Sequence, residues 1–91
     1  MGPWIATDLD PTNLETTIRM NGQVQIQFNT RDMLFDAASH IAKISRYSTL
    51  YPGDVVWLGA EGAIPNMRPG DVVEIEISGI GILRNAVMAE A

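Results

Sequence analysis

Cysteine, basic residues and long apolar runs are all scarce or missing in this 91-residue chain. The absence of cysteine excludes a disulfide framework and a thiolate metal site, and it favours a reducing compartment. Six basic residues stand against eleven acidic ones, so the net charge is −5 and no basic stripe is available for nucleic acid. No apolar run is long enough to span a membrane, and no secretory signal opens the chain. We therefore expect one small cytoplasmic domain with no nucleic acid or membrane partner.

A five-residue string is written twice, as Pro52-Gly53-Asp54-Val55-Val56 and as Pro69-Gly70-Asp71-Val72-Val73. Proline followed by glycine predicts a type II turn that enters a strand. Since Asp54 and Asp71 stand in the same context, we assign both carboxylates to hydrogen bonds with the turn backbone. The second turn enters an alternating strand at Val73–Ile77. The first leads through a strand at Val55–Leu58 into the small-residue loop Gly59–Ala63, whose backbone could approach a ligand closely.

A hairpin is predicted upstream of these turns. Asn21-Gly22 is a strong type I′ turn signal, and it separates the β-branched run Thr16–Met20 from the segment Gln23–Phe28. Apolar and polar residues alternate along the second segment, so its three apolar side chains should share one face. The hairpin should therefore be antiparallel with one wet face.

One helix is predicted after the hairpin. Thr30 and Asp32 suit its cap and first turn, which leaves Asn29 without an assigned role. Apolar residues recur from Leu34 with helical spacing, and the helix should end near Tyr47. With a last strand after the second Pro-Gly turn, the fold class is mainly β with one helix (α+β).

Some residues invite a functional role that simpler assignments also explain. Glu74 and Glu76 share one strand face, as ligands of a divalent cation would, but the wet face of an amphipathic strand explains them better. His40 is the only histidine, and without a partner residue a packing or surface role is favoured. Trp4 and Trp57 are most simply core residues, although Trp57 could instead line a pocket.

Several blocks of this sequence occur together, and in the same order, in one enzyme family. They are Gly2-Pro3-Trp4-Ile5, Met20-Asn21-Gly22, Asn29-Thr30-Arg31-Asp32-Met33, Ser45-Arg46-Tyr47, Thr49-Leu50-Tyr51-Pro52-Gly53-Asp54-Val55, Pro69-Gly70-Asp71-Val72-Val73-Glu74, Gly79-Ile80-Gly81 and Leu83-Arg84-Asn85. The chain resembles the C-terminal part of the fumarylacetoacetate hydrolase family over nearly its whole length. The resemblance implies part of a mixed β-roll, with residues 1–91 as the C-terminal portion of a single catalytic domain.

The resemblance also implies an activity. Family members are usually dimeric enzymes that use Mg²⁺ or Mn²⁺ on oxo acids. They hydrolyse carbon–carbon bonds of acylpyruvates, or isomerise or decarboxylate dicarboxylic products of aromatic ring cleavage. A divalent cation suits such chemistry because it polarises the oxo group. The family's metal ligands and acid/base residues precede the Gly2-Pro3-Trp4 block. We therefore expect no catalytic and no metal-binding residue in this chain, which alone should be inactive.

The family's substrate loop, usually Thr-Gly-Thr-Pro, matches Leu58-Gly59-Ala60-Glu61 here. Gly59 and Ala60 are therefore the expected substrate-binding residues. Because Ala60 has no hydroxyl, either the backbone N–H groups of these two residues bind the substrate, or the substrate differs from the usual acylpyruvates. Ile26 likewise stands about where many relatives have a glutamine.

A second hypothesis of another class stays open. The chain could be a non-catalytic, β-rich module that self-associates or binds a partner through a surface that a missing half once covered. The aromatic side chain of Trp4, so close to the N-terminus, favours a chain that is entered partway through a fold. Exposed apolar area of that kind would favour oligomers.

Overall fold

Four strands and one short helix form the regular structure of residues 2–90, the range that the computed structural model describes. The elements are β1 (Glu15–Met20), β2 (Gln23–Asn29), a 3₁₀ turn (Thr30–Asp32), α1 (Ala37–Ile44), β3 (Val72–Ile77) and β4 (Gly81–Ala86). Neighbouring strands are antiparallel, in the order β2-β1-β3-β4. The prediction of a mainly β fold with one helix is confirmed. Within this range, no helix has the length and apolar character that crossing a membrane requires.

Three turns take the backbone conformations that the sequence predicts. Asn21 and Gly22 have φ angles of 52° and 81°, as a type I′ turn requires. Gly53 and Gly70 have φ angles of 95° and 97°, the sign that the third position of a type II turn demands. Residues with a Cβ rarely adopt such angles, which explains glycine at these positions.

The aspartates of the two Pro-Gly turns bond to the turn backbone, as predicted. The Asp54 carboxylate accepts a hydrogen bond from the Tyr51 N–H at 2.8 Å, and the Asp71 carboxylate accepts one from the Arg68 N–H at 2.7 Å. Each aspartate also donates its own N–H to the carbonyl of that same residue, at 3.0 Å in both turns. The two copies of the string therefore build the same turn.

A bulge in β2 breaks the predicted alternation. Ile26 pairs with Ile18 whereas Val24 pairs with Arg19, so Gln25 has no partner on β1. The extra residue turns Val24 to the opposite face, where it is 55% exposed. The prediction that Val24 shares a face with the other apolar residues of the strand is wrong, because a period of two along one strand does not reveal an extra residue.

The first Pro-Gly turn does not lead into a strand. Val55–Leu58 pairs with no strand of residues 2–90, so the prediction of a strand there is wrong for the described range. A strand needs a neighbour that satisfies its backbone N–H and C=O groups. The core assignment of the two tryptophans also fails, since Trp57 is 87% exposed and Trp4 is 63% exposed.

The helix begins later than predicted. Asp36 caps α1, and its carboxylate accepts the Ser39 N–H at 2.7 Å. Thr30–Asp32 instead forms the 3₁₀ turn, which Asn29 caps by accepting the Arg31 N–H at 2.9 Å. The helix also ends at Ile44, earlier than the predicted end near Tyr47. Several residues with capping side chains lie close together in this stretch, so the sequence alone does not show which of them begins the helix.

One face of the sheet is apolar and only partly covered. Cross-strand pairs form a row of Ile26, Ile18, Ile75 and Leu83 across all four strands, which we call the apolar row. No apolar side chain of residues 2–90 is fully buried, and Ile75 in the middle of the row remains 37% exposed. The described part of the chain therefore presents apolar surface that it does not itself cover.

Candidate functional site

An open cavity of about 480 Å³ lies where the loop after Val55–Leu58 faces the end of the hairpin. Its lining comes from three segments: Phe28, Thr30 and Asp32; Met33–Phe35 and His40; and Leu58–Glu61. The cavity thus brings the predicted substrate loop together with the 3₁₀ turn and with one side of α1. The loop is predictable from the sequence, but no sequence pattern indicates that the 3₁₀ turn and α1 would lie opposite it.

Hydrogen bonds to the chain just before β1 hold the wall at Thr30 in place. The Leu14 N–H donates to the Thr30 hydroxyl at 2.8 Å, and the Thr30 N–H donates to the Leu14 carbonyl at 2.9 Å. The Asn29 side-chain amide donates to Asn13 Oδ1 at 3.1 Å. Thr30 therefore binds the residue that precedes β1 and does not cap the helix. Asn29, to which the sequence assigns no role, has a structural one.

The loop wall offers backbone groups rather than polar side chains. Gly59 has a φ angle of 104°, in the region that favours glycine, and Ala60 contributes only a methyl group. Within residues 2–90, no hydrogen bond uses the N–H of either residue. These N–H groups therefore have no partner among the described residues, as the predicted role of Gly59 and Ala60 requires. That role remains a prediction.

His40 lies on the cavity side of α1, half-buried. Its Nδ1 is 3.1 Å from the Asp36 carbonyl oxygen, and its ring meets Phe35 edge-on with 6.3 Å between the ring centroids. A proton on Nδ1 would serve that carbonyl and leave Nε2 as a hydrogen-bond acceptor. The sequence analysis favoured a packing or surface role for this residue, and the structure adds that it lines the cavity.

Electrostatics at the start of α1 favour the charged form of the capping carboxylate. Hydrogen bonds from Ser39, together with the nearby His40, hold the pKa of Asp36 below its usual range. The ionisable groups that line the cavity itself are Asp32, Glu61 and His40, and no lysine or arginine is among the lining residues.

The described residues do not fit a divalent metal ion. No group of three His, Cys, Asp or Glu side chains among residues 2–90 could hold one. Glu74 and Glu76 do share a face, but each pairs with an arginine instead. Arg19 Nη1 lies 2.7 Å from Glu76 Oε2, and Arg84 Nε lies 3.4 Å from Glu74 Oε1. The two carboxylates are thus engaged in ion pairs across the wet face of the sheet.

Comparison with known proteins gives a match over nearly the whole chain. Residues 1–88 match the family model described as fumarylacetoacetate (FAA) hydrolase C-terminal. An uncharacterized protein of Methanocaldococcus jannaschii is 43% identical over 90 residues, which are 99% of this chain and 38% of that protein. The 4-hydroxyphenylacetate degradation bifunctional isomerase/decarboxylase of Salmonella dublin is 34% identical over 93 residues, covering 99% of this chain and 22% of the enzyme.

Solved structures agree with these sequence matches. A 5-carboxymethyl-2-hydroxymuconate delta-isomerase from Mycobacterium smegmatis superposes with a TM-score of 0.92 at 39% identity, over 99% of this chain and 36% of that one. Maleylpyruvate hydrolase from Sphingobium sp. SYK-6, in complex with manganese (II) ion and pyruvate, gives a TM-score of 0.88 at 32% identity, over 96% of this chain and 34% of that one. The chain spans 38% or less of the length of each of these four proteins.

Proposed function

Because the chain belongs to the fumarylacetoacetate hydrolase family, we propose that residues 1–91 form the C-terminal portion of one catalytic domain that acts on small oxo acids. The reaction would be hydrolysis of a carbon–carbon bond, or isomerisation or decarboxylation of a dicarboxylic ring-cleavage product. Named relatives include an isomerase/decarboxylase and a hydrolase, so the family alone does not choose between these reactions.

The observation that carries the proposal is the position of the small-residue loop at the cavity wall. Gly59 and Ala60 line the cavity and have N–H groups that no described residue uses. We assign these two N–H groups to the substrate, as donors to an oxygen of the oxo acid. Donors of this kind favour negative charge on that oxygen.

The proposal includes a divalent metal ion whose ligands lie outside residues 1–91. Relatives of this chain include a hydrolase solved with manganese and pyruvate, whereas the described residues here hold no metal site. We place the ligands and the acid/base residues outside residues 1–91. When bound, Mg²⁺ or Mn²⁺ would polarise the oxo group. The 91-residue chain alone should then be catalytically silent.

The first experiment compares the 91-residue chain with the intact polypeptide from its native source. We expect the intact polypeptide to exceed 9.9 kDa and to turn over acylpyruvates or oxaloacetate with Mn²⁺, while the 91-residue chain shows no turnover. Titration of both samples with pyruvate and diamagnetic Mg²⁺, followed by the amide resonances of Gly59 and Ala60, tests the assigned residues. Turnover by the purified 91-residue chain, with contaminants excluded, would contradict the proposal.

One observation favours a second candidate function. The apolar row lies on a face that the described residues cover only in part, with Ile75 still 37% exposed. A non-catalytic module would use this face to bind a second copy of itself or another partner. The intact mass separates the two functions: a native polypeptide of 9.9 kDa that sediments as an oligomer and lacks activity favours the module.

A further inference from the structure

Packing, rather than hydrogen bonding, holds the substrate loop. Hydrogen bonds of the described residues cover the first Pro-Gly turn up to Asp54 and resume at Arg68. Between these two turns, no described hydrogen bond reaches residues 55–67. The position of Gly59 and Ala60 at the cavity therefore depends on side-chain contacts that this segment makes with the sheet.

Of the two glycines in the loop, Gly62 lies nearer to the side chains of the sheet. A Cβ on Gly62 would lie 3.2 Å from Ile26 Cδ1 and 3.7 Å from Ile26 Cγ1. Carbon atoms normally approach to 3.5–4.0 Å, so a Cβ on Gly62 would crowd the Ile26 side chain by a few tenths of an ångström. By contrast, a Cβ on Gly59 would meet nothing within 4 Å. The loop thus approaches β2 closely at Gly62, whereas the space into which a Cβ of Gly59 would project is open.

Ile26 is well placed to fix this contact. It begins the apolar row and pairs with Ile18 across the hairpin, on the side of the bulge where the strand register is regular. Phe28, two residues further along the same strand, lines the cavity. One short stretch of β2 therefore supports the loop and also forms the opposite wall of the cavity.

We propose that Gly62 is a positioning residue, whose contact with Ile26 holds the N–H groups of Gly59 and Ala60 at the cavity wall. The proposal rests on the substrate role of that loop. Any side chain at Gly62 must displace either Ile26 or the loop by a few tenths of an ångström. Misplacing reacting groups by about 1 Å can cost about 100-fold in rate, so a smaller shift should cost several-fold.

The test is a double-substitution cycle in the intact polypeptide that carries residues 1–91. Gly62→Ala adds the clashing methyl group, Ile26→Val removes Cδ1, and the double variant exchanges one for the other. Gly53→Ala is the matched control, because Gly53 also has a positive φ of 95° but a Cβ there meets nothing within 4 Å. Selectively labelled methyl groups report the Ile26 contact and the position of Ala60.

Two readouts separate loop position from ligand binding. Gly62→Ala and Ile26→Val should each shift the Ala60 methyl resonance, the double variant should return it toward its original position, and Gly53→Ala should leave it unchanged. The Kd for pyruvate with Mn²⁺ should rise several-fold, and kcat/KM should fall several-fold, in step with these shifts. Dispersed amide resonances of the β1–β2 hairpin show that each variant is folded.

An unchanged Ala60 methyl resonance in folded Gly62→Ala would overturn the proposal. It would also be overturned if the Ala60 methyl resonance of the double variant were no closer to that of the unmodified protein than the resonance of either single variant. If Gly62→Ala does not fold, Ile26→Val alone decides: a shifted Ala60 methyl resonance supports the proposal, and an unchanged one overturns it. If the resonance follows the cycle but pyruvate moves neither Gly59 nor Ala60, the positioning role stands and the proposed substrate role fails.

Discussion

The side chain of Asn21, at the tip of the hairpin, binds Asp71 of the second Pro-Gly turn. Its amide nitrogen lies 2.9 Å from Asp71 Oδ1, and its carbonyl oxygen accepts the Val72 N–H at 2.9 Å. The Asn21 N–H in turn donates to the Val72 carbonyl at 2.9 Å. One residue thus ties the two most recognisable turns of the sequence together at one end of the sheet.

Asn21→Gly should raise the pKa of Asp71 toward its usual value. The Asn21 amide is the main cause that holds this pKa low, followed by the Arg68 N–H. Glycine keeps the positive φ of the turn, so the change removes the side chain without straining the backbone. Carboxyl carbon shifts followed by NMR during an acid titration measure the effect. The pKa of Asp36, which Ser39 lowers, is the control and should not move.

Acid should destabilise the chain through its turn and cap aspartates. The pKa values of Asp10, Asp36 and Asp71 lie below the ordinary value of 3.8. Each such group stabilises the fold fully above its unfolded pKa, and this contribution disappears as the pH falls through the lower, folded pKa. Asp36→Asn retains a capping oxygen but no longer titrates, so its unfolding free energy should depend less on pH below 4. An equal pH dependence in that variant would refute the assignment to Asp36.

Gly70→Ala should destabilise the sheet by about 1–2 kcal/mol, because a Cβ is strained at its φ of 97°. The Gly70 N–H donates to the Val87 carbonyl at 2.9 Å, which couples this turn to the end of β4. Gly53→Ala introduces the same strain in a turn that enters no strand among the described residues. Denaturant unfolding followed by amide resonances of β3 and β4 should show a smaller loss for Gly53→Ala. Equal losses would mean that both turns belong to one cooperative unit.

Glu76→Gln should cost less than about 1 kcal/mol, because the Arg19–Glu76 pair is partly exposed and such pairs contribute little. The loss should shrink in 1 M salt, where charges are screened within about 3 Å. Glu74→Gln is the matched variant for the pair with Arg84. Neither variant should alter the Mn²⁺ affinity of the intact polypeptide. A weaker affinity in either one would revive the metal-ligand hypothesis for these two residues.

Ile75→Glu should reduce self-association of the 91-residue chain and its binding of an apolar dye, because Ile75 is the exposed member of the apolar row. Ile82→Glu is the control, since Ile82 pairs with Glu76 on the opposite face and is 48% exposed. Sedimentation velocity and dye fluorescence give both readouts. A monodisperse monomer of the unmodified chain that binds no dye would contradict the importance of this face.

Local chemistry explains why some elements could be predicted from the sequence. The turns at Asn21-Gly22 and at the two Pro-Gly-Asp strings depend on φ preferences and on side chains that bond within four residues. Each forms as expected, including the two aspartate hydrogen bonds. The resemblance over nearly the whole chain likewise identified the family, and the match of residues 1–88 to the family model confirms it.

Elements that depend on distant partners were predicted poorly. Val55–Leu58 has the composition of a strand, but no described strand pairs with it. The bulge at Gln25 is defined by its partner strand, and the choice of Asp36 as the helix cap depends on where Thr30 is held. The role of Thr30 comes from Leu14, a residue sixteen positions away.

By itself, the sequence determined the turns, the class of fold and the family, because these follow from backbone preferences and ordered motifs that are written locally. Only the tertiary structure decided which walls meet at the cavity, that His40 lines it, and that a Cβ on Gly62 would crowd Ile26. It also decided that the apolar row is only partly covered. These outcomes depend on contacts between segments far apart in the chain, and no local preference specifies such contacts.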